Sequence, residues 1–261
     1  MATTHANNGL QARRLALYAS LIGIALMLFT ITTQRAFHWS DAARMALYEV
    51  NHRPNSARAN YEMGRIFAVA FDIERKEEQF DLAMQYLKRA DEIKPDEIGP
   101  KIAMLTITFF KGNYPSEALL QELNRATENV RNLNLQTPYF TTLVKCQQAK
   151  KCSLKPQDML AIFGSALKNP HGNHEARSNM LGLLGLYYTS IGDYRAGAEA
   201  LSDAVKLNPS NPNIHLNLSM LHYLNGDKAA ALKFLESGKK ADKYGLYLTR
   251  IVEVSALLEK N

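Results

Sequence analysis

The pattern of hydrophobic and polar positions divides the chain into a short N-terminal part and a long remainder. Residues 15–34 read LALYASLIGIALMLFTITTQ and include no charged side chain. After them, apolar and small residues recur at helical spacing, with charged residues between them. A helix of about twenty residues is roughly 30 Å long, the thickness of the hydrocarbon core of a bilayer. The pattern therefore predicts one membrane-spanning helix followed by an all-α soluble part.

The residues beside the apolar run agree with a membrane span. Arg13 and Arg14 precede it, Arg35 follows it, and Trp39 comes about one helical turn later, where an interfacial aromatic residue is common. A cleaved signal peptide and a buried core helix are the alternatives. A signal peptide has a shorter apolar core and a small-residue cleavage site, which TITTQR at the end of the run lacks. A core helix is seldom so free of charge, so we favour the anchor.

A 34-residue period is the main signal in the second half of the chain. The dipeptide Gly192-Asp193 recurs 34 residues later as Gly226-Asp227. Residues of the same kind match throughout the alignment of 178–211 with 212–245: Leu184 with Leu218, Gly185 with Ser219, Gly197 with Ala231, Leu201 with Leu235, and Ala204 with Gly238.

The spacing within the first unit resembles that of the tetratricopeptide repeat (TPR) family, whose units are helix–turn–helix pairs. The resemblance rests on Leu184, Gly185, Tyr188, Gly192, Gly197, Leu201, Ala204 and Pro209. It implies small residues where two helices cross closely and a proline at the end of the second helix. In the second unit His215 and His222 replace larger aromatics and Lys243 replaces the proline, so we expect a looser or terminal repeat.

A similar unit lies next to the predicted anchor. It has the same small, aliphatic and proline positions, at Gly64, Ala83, Leu87, Ala90 and Pro95. Gly64 and Ala83 are 19 residues apart, whereas the corresponding residues of the later unit are 12 apart, so about seven residues are inserted in the turn or the helices. Because each helix pair has one apolar face and cannot bury it alone, stacked pairs form a solenoid with a concave inner surface.

These features predict an all-α fold, an N-terminal transmembrane helix followed by a TPR-type α-solenoid. We expect five segments: 1–14 a cytoplasmic tail, 15–34 the transmembrane helix, 35–131 N-terminal TPR-like repeats, 132–177 an irregular Cys-containing insert plus a helix, and 178–261 C-terminal TPR repeats with a capping helix.

The junction after the anchor carries a second resemblance. Arg35, Trp39 and Asp41, followed by RPNSARA at residues 53–59, are similar to the junction in bacterial polytopic glycosyltransferase-like proteins with an extracytoplasmic TPR tail. The chain has one span and lacks the catalytic half, so no catalytic role is implied. The resemblance implies a polytopic membrane partner or a detached tail.

Charge and cysteine content limit the remaining functions. Lys and Arg exceed Asp and Glu by 31 to 25, and no run of five like charges occurs, so we expect no nucleic-acid partner. Cys146 and Cys152 would form a disulfide in an oxidising compartment or remain buried thiols in a reducing one. We favour the disulfide, with the N-terminus inside and the TPR domain in the periplasm.

His171 and His174 lack a third ligand, and no catalytic motif is present, so no metal, cofactor or enzyme activity is expected.

The TPR resemblance implies that the first helix of each pair lines the concave groove. By this assignment Arg58, Tyr61 and Arg65 lie on one face and could bind a carboxylate or phosphate. A solvated face, with Arg65 paired to a nearby Glu, is the alternative. The corresponding positions further along are Asn179, Leu186, Asn213, Met220 and Tyr223, which suit a peptide-binding groove or a packed core equally.

The leading hypothesis is a membrane-anchored TPR scaffold or adaptor that mediates protein–protein interactions in the bacterial cell envelope. It sits in the cytoplasmic membrane and binds a protein partner, and a repeat array also allows self-association. The alternative is an accessory or detached TPR domain of a membrane glycosyltransferase system.

Overall fold

A computed structural model describes residues 2–259. Their backbone forms thirteen α-helices and no strand, which confirms the predicted all-α class. The helices are α1 Ala2–Trp39, α2 Ala42–His52, α3 Ala57–Glu74, α4 Glu77–Ile93, α5 Ile98–Phe110, α6 Glu117–Asn129, α7 Leu133–Gln148, α8 Pro156–Lys168, α9 His174–Ser190, α10 Tyr194–Leu207, α11 Pro212–Leu224, α12 Lys228–Ala241 and α13 Leu248–Glu259.

The helices after α2 form a solenoid of two layers. The odd-numbered helices α3 to α13 each contact the next odd-numbered helix and form the inner layer. The even-numbered helices α4 to α12 form the outer layer, and α3/α4, α9/α10 and α11/α12 are closely packed pairs. The inner layer is the one that a TPR-type solenoid turns toward a ligand.

The repeated Gly-Asp dipeptide has a structural role in the turns between paired helices. Gly192 and Gly226 have positive φ angles of 82° and 81°, a left-handed conformation that glycine adopts without steric cost. Asp193 and Asp227 then begin α10 and α12, and each carboxylate accepts a hydrogen bond of 3.0 Å from a backbone N–H of the first turn. The dipeptide therefore ends one helix and starts the next.

Small residues at the helix crossings allow close approach. A Cβ atom added to Gly64 would lie 2.7 Å from the Leu87 side chain, and one added to Gly185 would lie 2.5 Å from the Leu201 side chain. Other positions of the repeat pattern, both small and aliphatic, are also buried: Ala83, Ala90, Leu184, Gly197, Ala204, Leu218, Ala231 and Leu235.

The seven residues inserted in the first unit lengthen its helices. Helix α3 ends at Glu74 and α4 begins at Glu77, so only Arg75 and Lys76 form the turn. Both helices are therefore longer than those of the α11/α12 pair, and Arg75 takes the left-handed conformation with φ of 58°.

The segment around the cysteines differs from the expectation. Residues 132–177 were expected to begin with an irregular insert, but α7 occupies most of its first half. The repeat pattern misses α7 because its buried residues, such as Leu133, Phe140 and Leu143, are large and lack the small crossing positions. α7 therefore packs between α5 and α9, while α6 packs against α8.

Helix α1 lies outside the solenoid. It includes residues 2–14, which were predicted as a tail, and continues to Trp39. Its segment Leu17–Phe37 is long and apolar enough to cross a membrane and buries nothing against the rest of the protein, properties that a signal sequence shares. At its end Arg44 donates a 3.1 Å hydrogen bond to the carbonyl of Phe37 and lies 3.9 Å from the centre of that ring, which fixes α2 to α1.

Candidate partner-binding groove

An apolar cavity of about 300 Å³ lies between the inner helices α3, α5 and α7. Its walls come from three helices that are not paired with one another in sequence. The apolar wall consists of Ala68, Val69, Ile102, Ala103, Ile107 and Phe110. The exposed side chain of Val69 marks its open side.

Two tyrosines close one end of the cavity. The rings of Tyr61 on α3 and Tyr139 on α7 meet edge to face, with centres 5.8 Å apart. A Cβ atom at Gly99 would lie 2.8 Å from the ring of Tyr139, so the absence of a side chain there lets this ring lie against α5. Burial, and then the neighbouring phenol, raises the pKa of Tyr61, and burial followed by the charge of Glu97 raises the pKa of Tyr139. Both hydroxyls are therefore protonated at neutral pH.

A charged cluster closes the other end. The carboxylate of Asp72 accepts hydrogen bonds from Arg75 at 3.0 Å and from Lys151 at 2.7 Å. The guanidinium of Arg75 also donates to the carbonyl of Phe110, and the ammonium of Lys151 lies 5.4 Å from the centre of the Phe110 ring. The cluster joins the ends of α3 and α5 to the loop after α7.

That loop is closed by a disulfide between Cys146 and Cys152, whose Cα atoms are 5.2 Å apart. Both cysteines are buried, and the backbone N–H groups of Lys151 and Cys152 donate to the carbonyl of Cys146 at 3.1 and 3.2 Å. The loop is thus compact, and it carries Lys151 to Asp72, which lies 79 residues away in sequence.

Removing the disulfide by the double substitution Cys146→Ser/Cys152→Ser should lower the free energy of unfolding by about 2 kcal/mol. The short closed loop restricts the unfolded chain less than a long loop would, which sets this size. Urea denaturation followed by circular dichroism measures it. A reducing agent should shift the midpoint of the wild type and leave the double variant unchanged. Equal midpoints for the two proteins under oxidising conditions would contradict the prediction.

A polar cleft of about 590 Å³ continues the groove between α7 and α9. Thr142 borders both the cavity and this cleft, so the two are neighbours. Lys145 and Asn179 also line the cleft, and Asn179 accepts a 3.3 Å hydrogen bond from Asn211. Glu175 lines the same cleft and accepts a 3.4 Å hydrogen bond from Asn134, and within residues 2–259 no carboxylate lies within ion-pair distance of Lys145.

The structure divides the first predicted set of groove residues. Tyr61 and Arg65 line the cavity, and Arg65 pairs with Glu62 at 3.2 Å, the pairing that the solvated-face alternative anticipates. Arg58 lines a different cleft, between α2 and the first turn of α3, so the structure does not bring it together with Tyr61 and Arg65 in the cavity.

The C-terminal positions of the predicted groove are occupied by the protein itself. Arg250 of α13 donates to the side-chain oxygen of Asn213 at 2.6 Å and also to that of Asn217. Met220 and Tyr223 pack against the same end of the solenoid, and Leu186 packs on the main core. Asn213, Met220 and Tyr223 thus lie beside α13, which packs against α11, whereas Asn179 lines the polar cleft. The assignment of these residues to a partner-binding groove stays a prediction.

Several groove residues had no signal in the repeat pattern. Tyr139, Thr142 and Lys145 lie on α7, which that pattern misses, and Gly99 and Ala103 lie on α5. In the sequence, the only indication of a cavity is the presence of these two small residues, Gly99 and Ala103, on the apolar helix α5. The described residues contain no cluster of three His, Cys, Asp or Glu side chains that could hold a metal ion. The groove offers an apolar hollow, hydroxyl and amide groups, and charged groups of both signs, a set suited to binding.

The comparisons with known proteins identify the class of repeat. Family models described as tetratricopeptide repeat match residues 183–245 and 72–97, so the chain contains TPR repeats. No curated protein sequence matches it. TPR proteins generally act as scaffolds for protein–protein interactions without catalysis of their own, which fits a binding groove.

Solved structures share the fold at low sequence identity. Yeast Tom70 is 14% identical with a TM-score of 0.54, and the match covers 82% of this chain and 42% of Tom70. The chain thus spans less than half the length of Tom70. Pseudomonas aeruginosa PilF is 16% identical over 80% of this chain and 85% of its own, with a TM-score of 0.42. YrrB, described as a TPR protein with an unusual peptide-binding site, is 14% identical over 80% of this chain and 98% of its own, with a TM-score of 0.36.

Proposed function

We propose that the chain is a single-pass membrane protein of the bacterial cell envelope whose TPR solenoid binds a protein partner in the groove formed by α3, α5, α7 and α9. The observation that carries the proposal is the combination of an exposed apolar helix with an open, partly apolar inner groove. The helix would anchor the chain, and the groove would position the partner beside the membrane.

The disulfide supports a periplasmic location for the solenoid. Disulfides persist in oxidising compartments, and Cys146 and Cys152 are buried and bonded to each other. With one span and two arginines before it, the N-terminus would remain in the cytoplasm. The same solenoid would also allow copies of this chain to associate with one another.

The glycosyltransferase alternative concerns the identity of the partner. The residues after the anchor resemble the junction before an extracytoplasmic TPR tail, and α2 and α3 place that junction immediately beside the solenoid. In this form of the proposal the groove holds a polytopic glycosyltransferase, and loss of the chain alters surface glycans or glycoproteins.

Two arginines in the middle of α1 should release the protein from the membrane. The double substitution Leu26→Arg/Met27→Arg should make the free energy of membrane insertion of α1 less favourable by about 5–7 kcal/mol, because each arginine at the centre of a span costs roughly half of that. Membrane flotation measures the change, and Leu248→Arg is the control, because Leu26 and Leu248 are both 62% exposed. A wild-type chain found soluble and shortened would instead identify α1 as a cleaved signal sequence and overturn the anchor.

Site-specific photo-crosslinking tests the groove. A photoreactive residue at Val69, on the cavity wall, should give a defined cross-linked partner in intact cells. The same residue at Val252 on α13 is the control, since both valines are 59% exposed. A polytopic glycosyltransferase as the partner would favour the second form of the proposal. The same product at both positions, or none at Val69, would count against the groove.

A further inference from the structure

A cavity of about 510 Å³ lies at the junction where the end of α1 meets α2. We propose that this junction cavity binds the headgroup of an anionic phospholipid, whose phosphate accepts hydrogen bonds from the guanidinium of Arg35. The inference rests on the proposed function, because it requires α1 to be a retained membrane anchor. It concerns the contact between the protein and the bilayer and does not involve the inner groove of the solenoid.

The position of the cavity along α1 identifies a lipid as its occupant. The apolar segment Leu17–Phe37 has 21 residues, so as a helix it is about 31 Å long and matches the hydrocarbon core of a bilayer. Ile31, Arg35 and Trp39 line the cavity and are spaced four residues apart, on one face of the helix. Arg35 lies just before the end of the apolar segment and Trp39 just after it. The cavity therefore opens at the depth of the lipid headgroups, which the long side chain of an arginine reaches readily.

The opposite wall of the cavity comes from α2. Tyr48 and Glu49 lie in the second half of this helix, and Arg53 caps its end. The carboxylate of Glu49 and the guanidinium of Arg53 form an ion pair at 3.5 Å. Tyr48 stacks on His52 with ring centres 4.0 Å apart, which orders its ring beside the cavity. On this wall the two opposite charges therefore already balance each other.

The charges of the junction leave one cation without a counterion. Glu49 is the one acidic side chain among the described residues that line the cavity, and it pairs with Arg53. The other acidic residue of the junction, Asp41, caps α2 by accepting a 2.8 Å hydrogen bond from the backbone N–H of Arg44. Arg35 forms no ion pair with the described residues. A guanidinium of this kind forms charge-assisted, bidentate hydrogen bonds with phosphate.

This excess of one positive charge favours an anionic lipid over a zwitterionic one. A headgroup with one net negative charge, such as that of phosphatidylglycerol, neutralises the cavity. The ammonium of a zwitterionic headgroup would need a carboxylate of its own, and the carboxylate of Glu49 is already paired with Arg53. The cavity should therefore select lipids by their net charge.

A lipid bound in the cavity would also restrain the solenoid relative to the bilayer. The cavity lies between α1 and α2, and α2 packs in turn on α3, the first helix of the solenoid. A headgroup between the two helices would contact both of them and limit the angle at which they meet. The lipid would thus help to position the solenoid above the membrane surface.

Trp39 is the single tryptophan of the chain and lines the cavity, so its fluorescence reports the occupant. The full chain is reconstituted in phosphatidylcholine vesicles that contain a minor fraction of one brominated lipid. That lipid is phosphatidylglycerol, phosphatidylethanolamine or phosphatidylcholine, each brominated on acyl carbons near the headgroup. Bromine quenches tryptophan at short range, so quenching at equal lipid fractions gives the relative affinities. We expect about a fivefold preference for phosphatidylglycerol over phosphatidylcholine, the factor that one arginine contributes near an anionic surface, and none for phosphatidylethanolamine.

Two arginine variants assign the preference to the cavity. Arg35→Gln should reduce the preference for phosphatidylglycerol to about twofold or less, because the remaining charges of the cavity balance. Arg58→Gln is the matched control and should keep the wild-type preference, because Arg58 is also exposed but lines a different cleft. Both variants remove one positive charge near the same end of the solenoid. A diffuse attraction between the protein surface and anionic lipid would therefore weaken equally in both.

Three results would overturn the proposal: equal quenching by phosphatidylglycerol and phosphatidylcholine, an equal loss of preference in the two variants, or an equal preference for phosphatidylethanolamine. Inorganic phosphate at millimolar concentration, compared with chloride at the same ionic strength, distinguishes a lipid headgroup from a free phosphate. Quenching that persists in phosphate supports the lipid. Quenching that phosphate alone relieves would assign the cavity to a free phosphate and overturn the lipid.

Membrane flotation of the wild type tests the anchor independently of lipid class. An anchored chain without a lipid preference would leave the proposed function in place and reject the headgroup site. A chain that is released from the membrane would reject both.

Discussion

Replacing Asp91 by alanine should lower the free energy of unfolding by about 3–5 kcal/mol, although Asp91 touches no part of the groove. Lys101 on α5 is only 2% exposed, and its ammonium forms an ion pair with the carboxylate of Asp91 at the end of α4. The same ammonium donates to the carbonyl of Pro95 at 2.7 Å. Removing Asp91 would leave a buried positive charge with one neutral acceptor, and this accounts for the size of the loss.

The double variant Asp91→Ala/Lys101→Met should regain most of that loss. Burial raises the pKa of Asp91, the charges of Glu122 and Glu92 add to this, and the nearby Lys101 lowers it without reversing the direction. A buried ion pair of this kind contributes little over apolar residues of similar volume, whereas a single unpaired member is strongly destabilising. We therefore expect the pair to determine how α5 docks on α4 more than to stabilise the fold.

Urea denaturation of the full chain in detergent, followed by circular dichroism, measures these changes. Glu92→Ala is the control, because Glu92 pairs with Arg89 on the exposed side of the same helix, and its removal should cost no more than about 1 kcal/mol. If Asp91→Ala and Glu92→Ala had the same small effect, Lys101 would have found water or another acceptor, and the buried pair would have no special weight.

The sequence predicts the closely packed repeats because their geometry depends on particular residues. A helix pair that crosses at Gly185 needs the missing side chain, and a turn at Gly192 needs the left-handed conformation, so both requirements are visible as spacing. The same reasoning identifies Gly64 and Ala83 as a crossing in spite of the longer helices between them. These positions, together with the helical spacing of the apolar residues, predict the all-α solenoid.

The groove depends on packing that has no fixed spacing. Helix α7 packs between α5 and α9 with large buried residues. Because it has no small residues at the crossing positions, its sequence does not match the repeat spacing. At one end of the cavity the ring of Tyr139 lies against Gly99, although the two residues are distant in sequence. The hydrogen bond from Arg250 to Asn213 is likewise unpredictable from spacing, because it forms only when α13 docks on α11. Such pairings require the three-dimensional structure.

A pair of glycine substitutions within helix α9 separates close crossing from ordinary packing. Gly185→Ala should destabilise the protein by about 1–3 kcal/mol, because the new Cβ would lie 2.5 Å from Leu201 and 3.2 Å from the carbonyl of Gly197. Leu201 is fully buried and has little room to move, so α9 and α10 would have to separate. Thermal denaturation of the full chain measures the loss.

Gly182→Ala in the same helix should have the opposite sign. There the new Cβ would lie 3.5 Å from Ile214, an ordinary contact distance, and alanine is favoured over glycine inside a helix by about 0.5–1 kcal/mol. Both substitutions gain the same helix propensity, so the difference between the two variants isolates the cost of the crossing. If Gly185→Ala were as stable as Gly182→Ala, the α9/α10 pair would tolerate a wider separation. The fold would then not require glycine at position 185.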